Sequence, residues 1–154
     1  MFKFNITNPV KLMVMLLAIL EPFIFLYFVG PLDSLSSYWG TSMQPLFIMV
    51  NAFTSHLLFS STKWQVPAII LLLVTAFPVT EYKDIHNIFA VLFFISCLWA
   101  TYQLNSLRYF FYIGLSLSLI SIFSFFWFEV FMILLICAYH INVMLIVNKR
   151  LTTN

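Results

Sequence analysis

The chain has 154 residues, 63% of them hydrophobic and 8% charged, with a mean hydropathy of +1.03, so it carries too few polar groups to cover a water-soluble globule. It is far too apolar to be disordered, and its length allows one domain. The formal charge is only +2 and the Lys and Arg residues are dispersed, which leaves no electrostatic footprint for nucleic acid. The composition therefore predicts an all-α, polytopic membrane helix bundle.

In chain order, the first predicted span covers about residues 9–29, enough at 1.5 Å per residue to cross a hydrocarbon core of roughly 30 Å. Lys3 and Lys11 stand ahead of its uninterrupted apolar stretch. The apolar stretch is too long for a signal-peptide core and no Ala-x-Ala site follows, so it is expected to remain as a signal anchor. Glu21-Pro22 lies inside this span, where proline removes a backbone donor and frees a carbonyl that needs a partner. Gly30-Pro31 ends the helix. The stretch from Asp33 to Thr41 follows, reading Asp-Ser-Leu-Ser-Ser-Tyr-Trp-Gly-Thr, the longest polar interruption in the chain.

A second span at about 43–60 carries Asn51, Thr54, Ser55 and His56, and turns back through Ser61-Thr62-Lys63. The third, 64–78, is the shortest, with Pro67 in its first turn, where proline is tolerated. The fourth, 85–104, opens with His86. Residues 109–147 are twice the length of one span and must fold back. The expected bend is Phe126-Trp127-Phe128-Glu129, where a charge and an interface-seeking Trp coincide. That divides the stretch into 109–125, with Gly114, Ser118 and Ser121 as a small-residue stripe for close helix approach, and 129–147, with Cys137, His140 and Asn142. Cys97 and Cys137 both sit in apolar segments and read as packing residues rather than a disulfide.

Six spans put both termini in the cytoplasm. Lys3, Lys11, Lys63, Arg108, Lys149 and Arg150 then lie inside and Lys83 alone outside, a positive-inside pattern. Asp33, Glu81, Asp84 and Glu129 fall outside, leaving Glu21 as the one acid within the bilayer. Tyr27, Tyr38, Trp39, Tyr82 and Trp127 are expected at the outer boundary, and Trp64, Tyr102, Tyr109 and Tyr112 at the inner one. The expected location is a prokaryotic cytoplasmic membrane, spanned several times.

Glu21, Asn51 and His140 are the intramembrane polar residues, and they meet only if their helices are neighbours. An ionised carboxylate in hydrocarbon costs several kcal/mol, so Glu21 is expected to face the bundle interior. At the outer mouth, Asp33, Ser36, Ser37, Tyr38, Asp84 and His86 form the candidate ligand site, suited to a lipid headgroup, a small ligand or a partner protein. His56 lies toward the other end of its helix, which speaks against a three-histidine metal site; no metal and no cofactor is expected. Neither His-Glu-x-x-His nor Gly-x-Ser-x-Gly occurs, and with three glycines there is no phosphate-cradling loop.

Asp33-Ser-Leu-Ser-Ser-Tyr38 with Thr41, and later His86-Asn-Ile-Phe-Ala90-Val-Leu-Phe93-Phe94, resemble the two most recognisable segments of the DUF998-type family of six-span prokaryotic membrane proteins of unknown function. The resemblance covers roughly residues 10–148. It implies six spans and an outward-facing site, and no reaction.

The leading expectation is thus a non-enzymatic binding or accessory protein in contact with membrane lipids, a partner membrane protein or a second copy of itself. One alternative is a membrane-embedded, metal-dependent lipid hydrolase using zinc with Asp84, His86 and Ser37. Another is a small oligomeric transporter or channel with Glu21 and His140 on its path.

Overall fold

The first helix shows how the chain punctuates itself. In the computed structural model, which describes residues 8–152 and the side chains of 9–147, α1 runs from Asn8 to Phe28 with Pro22 inside it. It ends where Gly30 turns to φ +92°, a left-handed conformation that glycine adopts without strain. The Gly30 and Val29 amides still reach back to Leu26 and Phe25 at 3.1 and 2.9 Å, so the last turn closes before the chain leaves. Lys3 lies outside the described residues, as do the side chains of Lys149 and Arg150.

Five more helices follow: α2 (Gln44–Phe59), α3 (Gln65–Ala76), α4 (Lys83–Tyr102), α5 (Tyr109–Leu117) and α6 (Phe125–Thr152). Short 3-10 turns join them at Leu35–Gly40, Thr62–Trp64, Asn105–Leu107 and Ser118–Ile122. Among the described residues there is no strand. Pro45 and Pro67 fall in the opening turns of α2 and α3, where the missing N–H has no intrahelical partner to lose.

Each helix packs on the next in sequence, and α6 closes the ring against α1 while also touching α4. The three apolar clusters of the interior all draw on α6, through Met132 and Tyr139, through Cys137, and through Phe126 and Val130. Gly114 lets α5 approach closely: a Cβ there would collide with Leu98 of α4 and come within 2.9 Å of Leu135 of α6. The 3-10 turn that follows α5 packs against α6 as well. Ser118 and Ser121 lie in it and turn their hydroxyls back onto Leu115 and Ser118 carbonyls.

The helices are apolar outward as well as inward. On α4, His86, Ala90, Phe93, Phe94 and Cys97 are buried, while Ile88, Val91, Leu92, Ile95 and Trp99 are exposed on the opposite stripe. Three helical stretches, Pro9–Phe28, Lys83–Tyr102 and Phe125–Val147, are long and apolar enough to cross a membrane; this is the signature of a membrane protein. The helices α2, α3 and α5 are shorter, at 16, 12 and 9 residues.

Three expectations change. The reversal before α6 lies at Phe123-Ser124, whose amides both bond to the Ile120 carbonyl, and not at 126–129. Glu129 is consequently within α6 and buried, rather than at an outer surface. Tyr38 and Trp64, expected among the boundary aromatics, have their rings buried in the bundle: Tyr38 stacks on Phe25 at 4.6 Å, and Trp64 packs on Tyr139 and His140 at 5.3 and 4.6 Å.

The added methyl of Gly30→Ala meets nothing within 4 Å, so any loss it causes comes from the backbone. Thermal unfolding in detergent is expected to show a cost of about 1–2 kcal/mol for Gly30→Ala and a smaller one for Gly30→Asn, which tolerates the left-handed conformation.

Candidate functional site

Serine at position 34 precedes the 3-10 turn Leu35–Gly40, yet its hydroxyl does not cap it. It bonds instead to the hydroxyls of Ser36 and Ser37, at 3.0 and 2.9 Å. The first amide of the turn, Leu35 N–H, is taken by Glu129, whose Oε2 accepts it at 2.6 Å across 94 residues of sequence. A carboxylate on α6 thus performs the capping that the local serine does not. The turn is anchored at its other end by Tyr38, which donates its hydroxyl to the Gly30 carbonyl at 2.5 Å, and by Thr41, which donates to Tyr38 O at 2.7 Å and accepts from Met43 N at 3.1 Å. These bonds pull the polar stretch down onto the helix ends.

Beneath it lies a cavity with about 80 Å³ of room for water-sized groups. Its walls come from α1, α2, α3, α4, α6 and the 3-10 turn, and are mostly apolar, with Phe47, Phe93 and Phe94 among them. Set into those walls are Glu21, Ser36, Asn51, Thr54, His86, Glu129 and Cys137. No lysine or arginine lines it among the described residues.

The donors of these side chains are largely spoken for. Asn51 Nδ2 donates to Phe47 O at 2.9 Å, and the Cys137 thiol points to Met15 O at 3.8 Å. His86 Nδ1 lies 2.7 Å from Phe77 O. A carbonyl only accepts, so Nδ1 carries the hydrogen, and in the neutral ring Nε2 is an acceptor. His86 Nε2 and Glu21 Oε1 are both buried without a hydrogen-bond partner. They belong to one cavity and do not satisfy each other. Glu21 and Glu129 also repel when both are ionised.

The structure therefore brings together Ser36 and His86 from the predicted mouth and Glu21 and Asn51 from the predicted interior. It separates the others. Asp33 and Asp84 are exposed, and Ser37 is half-buried; neither they nor Tyr38 line the cavity. His140 faces a second cavity with Lys11, Lys63, Trp64 and Tyr139, so it does not share a site with Glu21. Among the described residues no three His, Cys, Asp or Glu side chains converge as metal ligands, and Ser37, Asp84 and His86 do not fit a zinc site.

Glu129 is the cavity residue that the sequence pattern placed elsewhere. With the helix start moved to Phe125, Glu129 shares a stripe with Ile133, Ile136 and Cys137, spaced i, i+4, i+7 and i+8, and all four line the cavity. That spacing was the available signal. No known family model matches this chain, nor does any curated protein or solved structure.

Glu129→Gln retains an oxygen for the Leu35 amide, whereas Glu129→Ala strands that buried donor. The alanine variant is expected to lose about 1–3 kcal/mol and to become sensitive to proteolysis between 33 and 41, with the glutamine variant close to the parent. Thermal melts and limited digestion in detergent read both.

Proposed function

We propose that this protein is a membrane-embedded, non-enzymatic binding protein whose cavity between Glu21, Glu129, Asn51 and His86 receives a small ligand or the headgroup of a lipid. The observation that supports this best is the pair of buried, unpartnered atoms, Glu21 Oε1 and His86 Nε2, in one cavity. An unsatisfied buried polar atom costs free energy, and two aimed at the same space indicate a third partner.

The proposal includes a six-span arrangement in a prokaryotic cytoplasmic membrane with both termini cytoplasmic. In it the shorter helices α2, α3 and α5 are extended by their adjoining turns, and the distribution of Lys and Arg sets the orientation. The polar stretch then covers the cavity from the outer side. Kinship with the DUF998-type proteins belongs to the same proposal and rests on the two sequence segments that resemble that family.

Ala90 lines the cavity and is 7% exposed, so Ala90→Phe takes up its space while every polar side chain is retained. In a thermal-shift screen of small molecules and short-chain lipids in nanodiscs, a ligand present at a hundred times its Kd adds about 2.7 kcal/mol. This is expected to raise Tm by roughly 5–10 °C for a chain of this size. The expected result is a ligand that shifts the parent and not Ala90→Phe. Equal shifts in both, or no shift in the parent, would overturn the reading.

A further inference from the structure

The hydrogen-bond balance of the cavity leans toward acceptors. Three lining side chains, Asn51, His86 and Cys137, direct a donor at a backbone carbonyl. What they leave is acceptor capacity: Asn51 Oδ1 and the Nε2 lone pair of a neutral His86. Glu21 adds Oε1, and Glu129 adds the oxygen not engaged by Leu35. Proline at 22 contributes as well. It has no N–H to give the carbonyl of Ala18, and Ala18 itself lines the cavity. The Ser36 and Thr54 hydroxyls act either way, Ser36 already being paired with Ser34; Asn51 keeps a second N–H, and a protonated Glu21 or Glu129 has one O–H to give.

Charge points in the same direction. Two carboxyl groups, Glu21 at 4% and Glu129 at 5% exposure, sit in a largely apolar enclosure whose described lining residues include no lysine or arginine and one base, His86. A group that complements them brings positive charge and several N–H donors at one centre. The phenylalanine faces of the wall suit a cation and the hydrocarbon attached to it. A divalent metal ion is a poorer match, because its ligands must close to about 2.0–2.6 Å and these groups are not that tightly gathered, whereas an N–H donor reaches about 2.7–3.2 Å.

We infer that the cavity binds a primary ammonium group on a short apolar chain, held between Glu21, Glu129 and His86 Nε2. The inference rests on the cavity being a ligand site, and it names the ligand's chemistry. An ammonium supplies three donors to the acceptors that lack partners, and its charge offsets a carboxylate that hydrocarbon alone would not tolerate. Room for water-sized groups of about 80 Å³ limits the ligand to a few heavy atoms, as in methylammonium or ethylammonium.

The test is equilibrium binding of radiolabelled methylammonium to the full chain in nanodiscs, competed by ethylammonium, potassium, acetamide and acetate. Saturable binding displaced by ethylammonium is expected, with potassium and acetamide at least ten-fold weaker as competitors. Potassium has the charge without the donors; acetamide has donors without the charge. Glu21→Gln is expected to weaken methylammonium binding ten-fold or more, while Ala90→Phe abolishes it. Where the Gln variant does not yield folded protein, the competition series on the parent decides alone. Equal competition by potassium or acetamide, or undiminished binding by Glu21→Gln, would overturn the ligand class. Binding of labelled acetamide or acetate that Ala90→Phe removes, without methylammonium binding, would also overturn the class and leave the cavity as a ligand site. No binding by any of these probes would overturn both.

Discussion

A carboxyl group held among hydrocarbon side chains must be given donors or a counter-charge, and this requirement governs the end of the bundle that carries the polar stretch. Glu129 satisfies it by accepting the Leu35 amide at 2.6 Å. The bond has structural reach because Leu35 opens a 3-10 turn whose own serine does not cap it. Fixing that amide to α6 holds the whole polar stretch against the helix ends, and Tyr38 then drops into the apolar cluster of Phe25, Phe47 and Phe126. Its hydroxyl finds Gly30 O, so a tyrosine that looked interfacial becomes a core residue with its polar tip satisfied. The lid over the cavity is thus a product of one buried acid and one left-handed glycine.

The interior and exterior of this bundle divide the work differently from those of a soluble protein. Outward faces carry Ile88, Val91, Ile95 and Trp99 on α4, and Leu12, Leu16 and Phe23 on α1. Hydrophobic burial therefore contributes little to distinguishing inside from outside once lipid surrounds the chain. Close fit and hydrogen bonding take that role. Gly114 brings α5 onto Leu98 and Leu135, and Ser55 donates to the Ala68 carbonyl at 2.7 Å, tying α2 to α3 within the core. Such pairing is incomplete at the two cavities, at Glu21 Oε1 and His86 Nε2 in the first and at His140 Nε2 in the second.

Much of this was readable from residues whose physics is local. Gly30-Pro31 as a helix stop, Pro67 in a first turn and Glu21 facing inward each follow from backbone geometry or from the cost of a buried charge. Glu129 was not readable in the same way. A lone acid beside Trp127 in a continuous apolar run is the ordinary pattern of a membrane boundary, and shifting the helix start by four residues turns it inward. The joining of His86 to Glu21 depends on α1 and α4 facing the same space, a relation between distant helices that periodicity within one helix does not encode. Asp33 and Asp84 illustrate the converse: similar chain position and suitable chemistry do not make two groups share a site.

The closure of the ring by its first and last helices has a consequence for biogenesis. The Leu35–Glu129 bond joins residues 94 apart and the Cys137–Met15 contact spans 122. During synthesis, α1 enters the membrane with Glu21 long before residues 125–147 exist to wall off the cavity. Through that interval its carboxyl depends on water, lipid headgroups or the insertion machinery for partners. On the proposed reading, a ligand that fits the finished cavity has no complete site on a nascent chain that stops short of Cys137, so binding would also record that α6 has docked.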